Sequence, residues 1–238
     1  MSARLKKLGV VLAILGLVFI AGSAFAYGKI QQGNASLKAY AKAENVTLTY
    51  DDKGNITSNG TAEEGAAILA LLKDAWKYPV VMSDLNPKDP LVNTPTEYMY
   101  QMATVTYHTL HGTATITLPE GTPDTVYKGI TYHAGDTVTF VNDGKYWTGF
   151  DRTNPIEAAA RGVIWSPTAH ALVGELGVGT VTASTLQLGL GVAALMAGIG
   201  LTSILAGLGL VWVAGGAVVA APAAAKKDNA KAPAKAKK

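Results

Sequence analysis

Four histidines offer the chain's most recognisable metal-binding chemistry. His108 and His111 stand in H-x-x-H spacing, which on a helix places both rings on one face. His133, with Asp136 close behind it, can add further ligands. Neutral imidazole suits Zn, Cu, Ni or Fe, and the thioethers of Met99 and Met102 just upstream would favour Cu(I). The alternative is that these are surface or packing residues. If 104–111 is a strand, His108 and His111 point to opposite faces and the pair dissolves. The H-E-x-x-H, G-x-S-x-G, Walker A and dinucleotide-binding patterns are all missing from the sequence. With no cysteine in the chain, disulfides, thiolate metal sites and a Cys nucleophile are excluded. A second dense segment runs from Tyr146 to Arg152 (YWTGFDR). It reads either as a core plug or as a binding surface anchored by Trp147 and Arg152.

The elements that must hold these residues are set by an uneven distribution of charge. Charged residues make up 16% of the chain, against about 25% in an ordinary soluble domain. Mean hydropathy is +0.21. The net charge of +3 is a sum of opposing parts. Residues 1–7 carry +3, residues 29–185 carry −5 and the tail from Lys226 carries +5, while 8–28 and 176–225 hold no charged side chain. A bilayer-spanning helix needs about 20 apolar residues. Leu8–Ala26 meets that length and Leu186–Ala221 exceeds it. Because Lys and Arg are retained on the cytoplasmic side, both basic ends are expected inside and the middle outside.

The expected organisation is therefore a cytoplasmic basic N-terminus (1–7), a first span (8–28), an extracytoplasmic domain (29–185), a second span (186–221) and a cytoplasmic Lys/Ala-rich tail (222–238). The expected location is the cell membrane, with membrane lipid as a contact and no nucleic-acid partner. Ala24-Phe25-Ala26 also fits a signal-peptide cleavage site, although the apolar run is longer than such signals usually have. As one helix, 186–221 would be about 54 Å long, more than the roughly 30 Å hydrocarbon core, so it is expected to tilt or project. Trp212 suits an interfacial anchor.

The second span carries a glycine repeat. Gly189-x-Gly191, Gly198-x-Gly200 and Gly207-x-Gly209 recur every nine residues, and Gly216 follows at the same interval. At about 100° per residue, Gly189, Gly200 and Gly207 fall on one stripe, and Gly191, Gly198, Gly209 and Gly216 on the opposite one. Small residues let membrane helices approach closely. Two opposed small faces suggest a helix held between two neighbours: the first span, through Gly9, Ala13 and Gly16, and a second copy or a larger membrane complex. Neither span contains an ionisable residue, which disfavours a proton relay or a charged substrate path within them.

The middle reads as a small α+β domain, giving the chain an α+β class between two membrane helices in hairpin topology. Residues 29–44 suit a helix continuing the first span. Val46–Tyr50 reads as a strand, Asp51–Asn55 as a turn and Ile56–Ser58 as its return. Thr61 and Glu64 form a capping box opening a helix to about Lys77, with Ile68, Leu69, Leu72 and Trp76 on one face. Residues 83–96 read as a loop and 97–118 show no clean period before the strand Thr113–Leu118. Val126–Tyr132 and Thr137–Val141, joined by Ala134-Gly135-Asp136, read as a β-hairpin. Asn154–Arg161 reads as a helix with Asn154 as cap and Pro155 at its first position.

The stretches YHTLHGTATITL, YKGITYHAGDTVTF, YWTGFDRTNPIEAAARG and ELGVGTVTASTLQLGLG together resemble a family of two-span membrane proteins from actinobacteria, and the similarity covers most of the chain. Members are sometimes labelled aromatic ring-opening dioxygenases. That label implies iron(II) held by two His and one carboxylate, for which His108, His111 or His133 with Asp136 or Glu97 are the residues of the right type. The leading expectation is a membrane scaffold or interaction subunit that self-associates. An external metal-binding module (Zn, Cu or Fe on His108, His111 and His133) and a dioxygenase-like enzyme are the alternatives.

Overall fold

The computed structural model describes residues 2–58 and 60–216. It is a mixed helix-and-sheet protein with two helices long and apolar enough to cross a membrane. The elements run α1 (Ser2–Ala43), α2 (Ala62–Ala70), a π-helical turn (Leu71–Ala75), α3 (Pro95–Leu110), β1 (Thr113–Thr117), β2 (Thr125–Tyr127), β3 (Ile130–Tyr132), β4 (Thr137–Val141), α4 (Pro155–Ile164) and α5 (Pro167–Gly216). The described residues divide into two compact units. One holds those up to Gly28 and those from Gly191, the other Lys29–Leu190. Helices α1 and α5 each contribute to both. Helix α5 begins at Pro167, upstream of the apolar stretch from Leu186. The tail from 222 on lies outside the described residues.

The first unit is a pair of helix segments. The buried positions of α1 there are Gly9, Gly16 and Ser23, seven residues apart, and those of α5 are Ala193, Gly200, Gly207 and Ala214, also seven apart. A seven-residue spacing keeps one seam facing a partner helix. The contacts run in opposite chain directions: Gly9 meets Gly207 and Gly16 meets Gly200, while Ser23 Oγ donates to Ala193 O at 2.7 Å. The segments are therefore antiparallel. Their outer surfaces are apolar, with Leu17, Val18, Leu195, Leu205 and Val213 more than half exposed.

The second unit contains two clusters of buried side chains. One gathers Leu48, Ile68, Leu72, Val92, Tyr98, Tyr100 and Ala103 with Leu176 and Ala183 of α5. The Thr61–Glu64 capping box forms and opens α2. The helix does not run evenly to Lys77: it widens into the π-helical turn, and Lys77 then takes a left-handed backbone (φ 54°). Tyr50 and Ile56 meet in an isolated antiparallel bridge around a turn whose Asp51 Oδ1 accepts from Lys53 N and Asn55 N. Val46–Tyr50 forms only such single bridges and no continuous strand.

The unassigned segment from Glu97 belongs to α3. Its start is specified by a second capping box: Thr94 Oγ1 accepts from Glu97 N, and Glu97 Oε2 accepts from Thr94 N at 2.8 Å, with Pro95 at the first helical position. The apolar period is masked because Thr104, Thr106 and Thr109 occupy buried positions. Thr104 and Thr109 satisfy their hydroxyls within the helix, on Tyr100 O and Val105 O.

The other cluster packs α4 against β1 and β4, with Leu110, Ile116, Phe140, Phe150, Ile156 and Trp165 buried. The strand pairing differs from the expected hairpin. β1 pairs with β4, from Thr113↔Val141 to Thr117↔Thr137. β2 pairs with β3 through the tight turn Lys128-Gly129. Both turn residues have positive φ (48° and 78°), the geometry of a two-residue hairpin turn. Val126–Tyr132 is therefore two short strands rather than one arm. Gly135, at φ 84°, directs the chain into β4, and its N–H donates to Leu118 O at 2.9 Å. Helix α4 starts as expected, with Asn154 Oδ1 accepting from Ile156 N and Glu157 N.

Candidate functional site

The two glycine stripes of α5 meet different surroundings. On one, a Cβ at Gly200 would lie 2.8 Å from Gly16 O, and one at Gly207 would lie 2.5 Å from Gly9 O. A Cβ at Gly189 would sit 3.0 Å from the Ile30 side chain. The approach is reciprocal: a Cβ at Gly9 would be 2.5 Å from Gly207 O, and one at Gly16 2.5 Å from Gly200 O. Backbones this close leave no room for side chains on either helix. On the other stripe, a Cβ at Gly191, Gly198 or Gly209 would meet no neighbouring group within 4 Å among the described residues. Gly216 ends α5, and its surroundings lie outside the described residues. The packed seam is completed by Ala193 and Ala214, which the nine-residue glycine repeat does not contain.

Trp147 and Arg152 are not a pair. The cation over the Trp147 ring is Arg161, at 3.2 Å from the ring centroid, and its Nε donates to Trp147 O at 3.0 Å. Partial desolvation, followed by the nearby charge of Arg152, holds the Arg161 pKa below its ordinary value. Arg152 itself is exposed. His170 meets Trp147 edge-on at 4.8 Å between centroids. Trp76, Met102, Tyr146, Trp147, Trp165 and Val173 border an open groove of about 390 Å³. Arg161 could have been suspected from its place on α4, but only the packing brings it onto Trp147.

The histidines fall at three separate kinds of position. His108 lies in the last turn of α3 and His111 is its C-cap. Both are exposed. His111 Nδ1 sits 2.8 Å from Tyr107 O, and the Tyr107 ring lies against it at 4.1 Å. His133 follows β3, exposed, with Nδ1 2.7 Å from Asp124 Oδ1. That hydrogen bond and the Asp124 charge raise its pKa. Asp136 is occupied in the turn, accepting from His133 N at 2.8 Å. Glu97 is buried at 2% exposure and committed to the start of α3. Among the described residues, no three His, Asp or Glu side chains gather as a group able to hold a metal ion.

A further cleft, absent from the sequence reading, lies within the second unit where residues 37–47 meet α3 and the start of α5. Its volume is about 710 Å³. Tyr40 O–H donates to Glu175 Oε1 across it, which pushes the Tyr40 pKa up to about 12. Tyr98 borders it at 5% exposure, and its hydroxyl is buried without a partner. Gly179 makes this placement possible, since a Cβ there would collide with the Tyr98 ring. The signal in the sequence is faint: Glu175 is the last acidic residue before the long uncharged run.

No family model matches the chain, and no curated protein or solved structure matches it either.

Proposed function

We propose that this chain is a two-span protein of the cell membrane that works as a scaffold or interaction subunit and associates with a second copy of itself. In this reading both basic ends are cytoplasmic and residues 29–185 form an extracytoplasmic α+β domain. The positive-inside bias supports the orientation: the first seven residues carry +3 and the tail carries +5, against −5 in the middle. It accords with the resemblance to two-span actinobacterial proteins.

The observation that carries the self-association is the open stripe of Gly191, Gly198 and Gly209. Helix α1 fills the opposite stripe and leaves this one free on a helix with the length and hydropathy of a span. In lipid, close packing of such a face gains van der Waals contact that lipid chains match poorly.

Because the chain has no cysteine, single-cysteine variants report cleanly. Oxidation in native membranes is expected to convert Gly198→Cys to a covalent dimer. Val192→Cys, about 120° away around the helix, should remain monomeric. A Gly198→Cys protein that stays monomeric would remove self-association through this face.

A further inference from the structure

We propose that a second cleft, between α1, the start of α3 and α5, binds the headgroup of an anionic phospholipid, with the phosphate on Lys38 and headgroup hydroxyls on side-chain amides. This site depends on two membrane spans, as proposed above, but not on self-association or on sidedness. The cleft holds about 440 Å³, within the roughly 300–1,000 Å³ of small-molecule sites. Gln31, Asn34 and Lys38 of α1 line it, with Asn93 just before α3 and Gln187 of α5. Lys38 is the charged residue among the lining residues, and no Asp or Glu joins it there. Glu97 lies behind this wall at 2% exposure, its carboxylate taken by Asn93 N and Thr94 N. A phosphate is attracted to the cleft, and the ammonium of a zwitterionic lipid finds no carboxylate in its lining.

Depth points to the same ligand independently of charge. The uncharged run 8–28 ends at Lys29, and the exposed rings of Phe25 and Tyr27 suit the membrane–water interface, where aromatic side chains collect. At about 1.5 Å per residue, Gln31 and Asn34 stand about 4–9 Å beyond residue 28, at the level of a headgroup layer roughly 5–8 Å deep. Lys38 is farther out. On a helix, however, the Cα–Cβ bond leans toward the N-terminus, which for α1 is the side of the span, and a long lysine stem can reach back to the headgroups. Helix α5 meets α1 at this level: a Cβ at Gly33 would touch Leu186 and one at Gly189 would touch Ile30, which brings Gln187 to the height of Gln31. Leu190 lines the cleft on the side of the span, where acyl chains begin.

The polar side chains of the lining are also uncommitted. Among the described residues, those of Gln31, Asn34, Lys38 and Gln187 make no hydrogen bond or ion pair within the protein. Asn93 Nδ2 donates to Leu91 O at 2.7 Å, which holds its amide in place. Side-chain amides both donate and accept, whereas an ammonium only donates. One lysine among several amides therefore matches a phosphodiester that carries hydroxyls, such as a glycerol headgroup.

The test reconstitutes the full chain in nanodiscs of equal phosphatidylcholine and phosphatidylglycerol, releases it into mild detergent and counts its retained lipids by native mass spectrometry. Retention of phosphatidylglycerol over phosphatidylcholine is expected. Lys38→Gln should lower it by about fivefold, the effect of one lysine near an anionic surface. Asn34→Ala should weaken it severalfold with the lysine still present, and Lys38→Arg should preserve it. The Lys38-dependent share should persist when every lysine from Lys226 on is replaced by Gln. Lys42→Gln, exposed one turn farther along α1 and outside the cleft lining, should leave it unchanged. Unchanged thermal midpoints would establish that the variants fold. Equal retention of the two lipids would overturn the proposal, as would retention indifferent to Lys38→Gln. An equal loss in Lys42→Gln would mark surface charge alone and overturn it too. Glycerophosphoglycerol, the same headgroup without acyl chains, is titrated against the parent in phosphatidylcholine nanodiscs; tight, Lys38-dependent binding there would assign the cleft to a free phosphate ester instead of a lipid. A chain that does not enter the bilayer would remove the two-span reading as well, whereas an inserted chain indifferent to Lys38→Gln removes this site alone.

Discussion

Glu97 ties the local sequence to a pH-dependent stability. Its carboxylate caps the start of α3 by accepting from Asn93 N and Thr94 N, yet it is almost wholly buried. Desolvation wins over these hydrogen bonds and raises its pKa. A carboxyl with a raised folded pKa binds its proton more tightly in the native state. Its contribution to stability therefore falls as pH rises from the unfolded value, about 4.3, through the folded one. Glu97→Gln keeps an acceptor oxygen and removes the charge. Thermal unfolding is expected to show the variant more stable than the parent at pH 7, with the difference closing toward pH 4. A variant less stable than the parent at pH 7, with the deficit shrinking toward pH 4, would show instead that the charge itself strengthens the cap. His133 offers a second residue-scale check. Its pKa is raised first by the hydrogen bond it donates to Asp124, so Asp124→Asn should return it toward about 6.5, as followed by ring-proton NMR.

At the scale of elements, the helix pair and α3 each depend on small local signals. Gly200 faces the Gly16 carbonyl and Gly198 faces open space. Gly200→Leu is expected to cost about 1–3 kcal/mol or more through overpacking. Gly198→Leu should leave the fold intact and weaken self-association. Unfolding in nanodiscs and the cross-linking yield would separate the two effects. For α3, Thr94→Ala removes one arm of the capping box and should cost about 1 kcal/mol. The Thr61–Glu64 box and the Asn154 cap were legible because a polar cap precedes a recognisable apolar period. The start of α3 carried the same signal, Thr94 with Glu97, but it was hidden by a buried face rich in threonine. The β2–β3 turn at Lys128-Gly129 was missed for a related reason. A stronger-looking turn, Ala134-Gly135-Asp136, stood nearby, and turn chemistry alone does not choose the partner strand. Only the burial of Ala114, Ile116, Val138 and Phe140 on one face favours pairing β1 with β4.

At the scale of the whole chain, orientation in the membrane is the property with the widest consequences. If residues 29–185 are external, Thr115→Cys, exposed on β1, should react with a membrane-impermeant maleimide in intact cells. Lys7→Cys should react only after permeabilisation. The reverse pattern, or equal labelling, would refute the N-in/C-in assignment. Intact mass of the protein would also tell whether the chain is cut after Ala26, which lies inside the continuous helix α1.

Charge and hydropathy determined, without any tertiary information, that the chain holds two long apolar helices and a polar middle of mixed helix and strand. Such properties follow from composition over long windows, where single packing choices average out. The glycine repeat likewise put Gly200 and Gly207 on one side of α5 and Gly198 and Gly209 on the other, because helical geometry alone fixes angular position. Tertiary structure decided which stripe is filled and added Ala193, Ala214 and Ser23 to the seam. It placed Arg161, rather than Arg152, on Trp147. It also assembled the Tyr40–Tyr98–Glu175 cleft from three helices distant in sequence. These are contacts between remote segments, and their existence depends on how buried faces fit together rather than on any local pattern of residues.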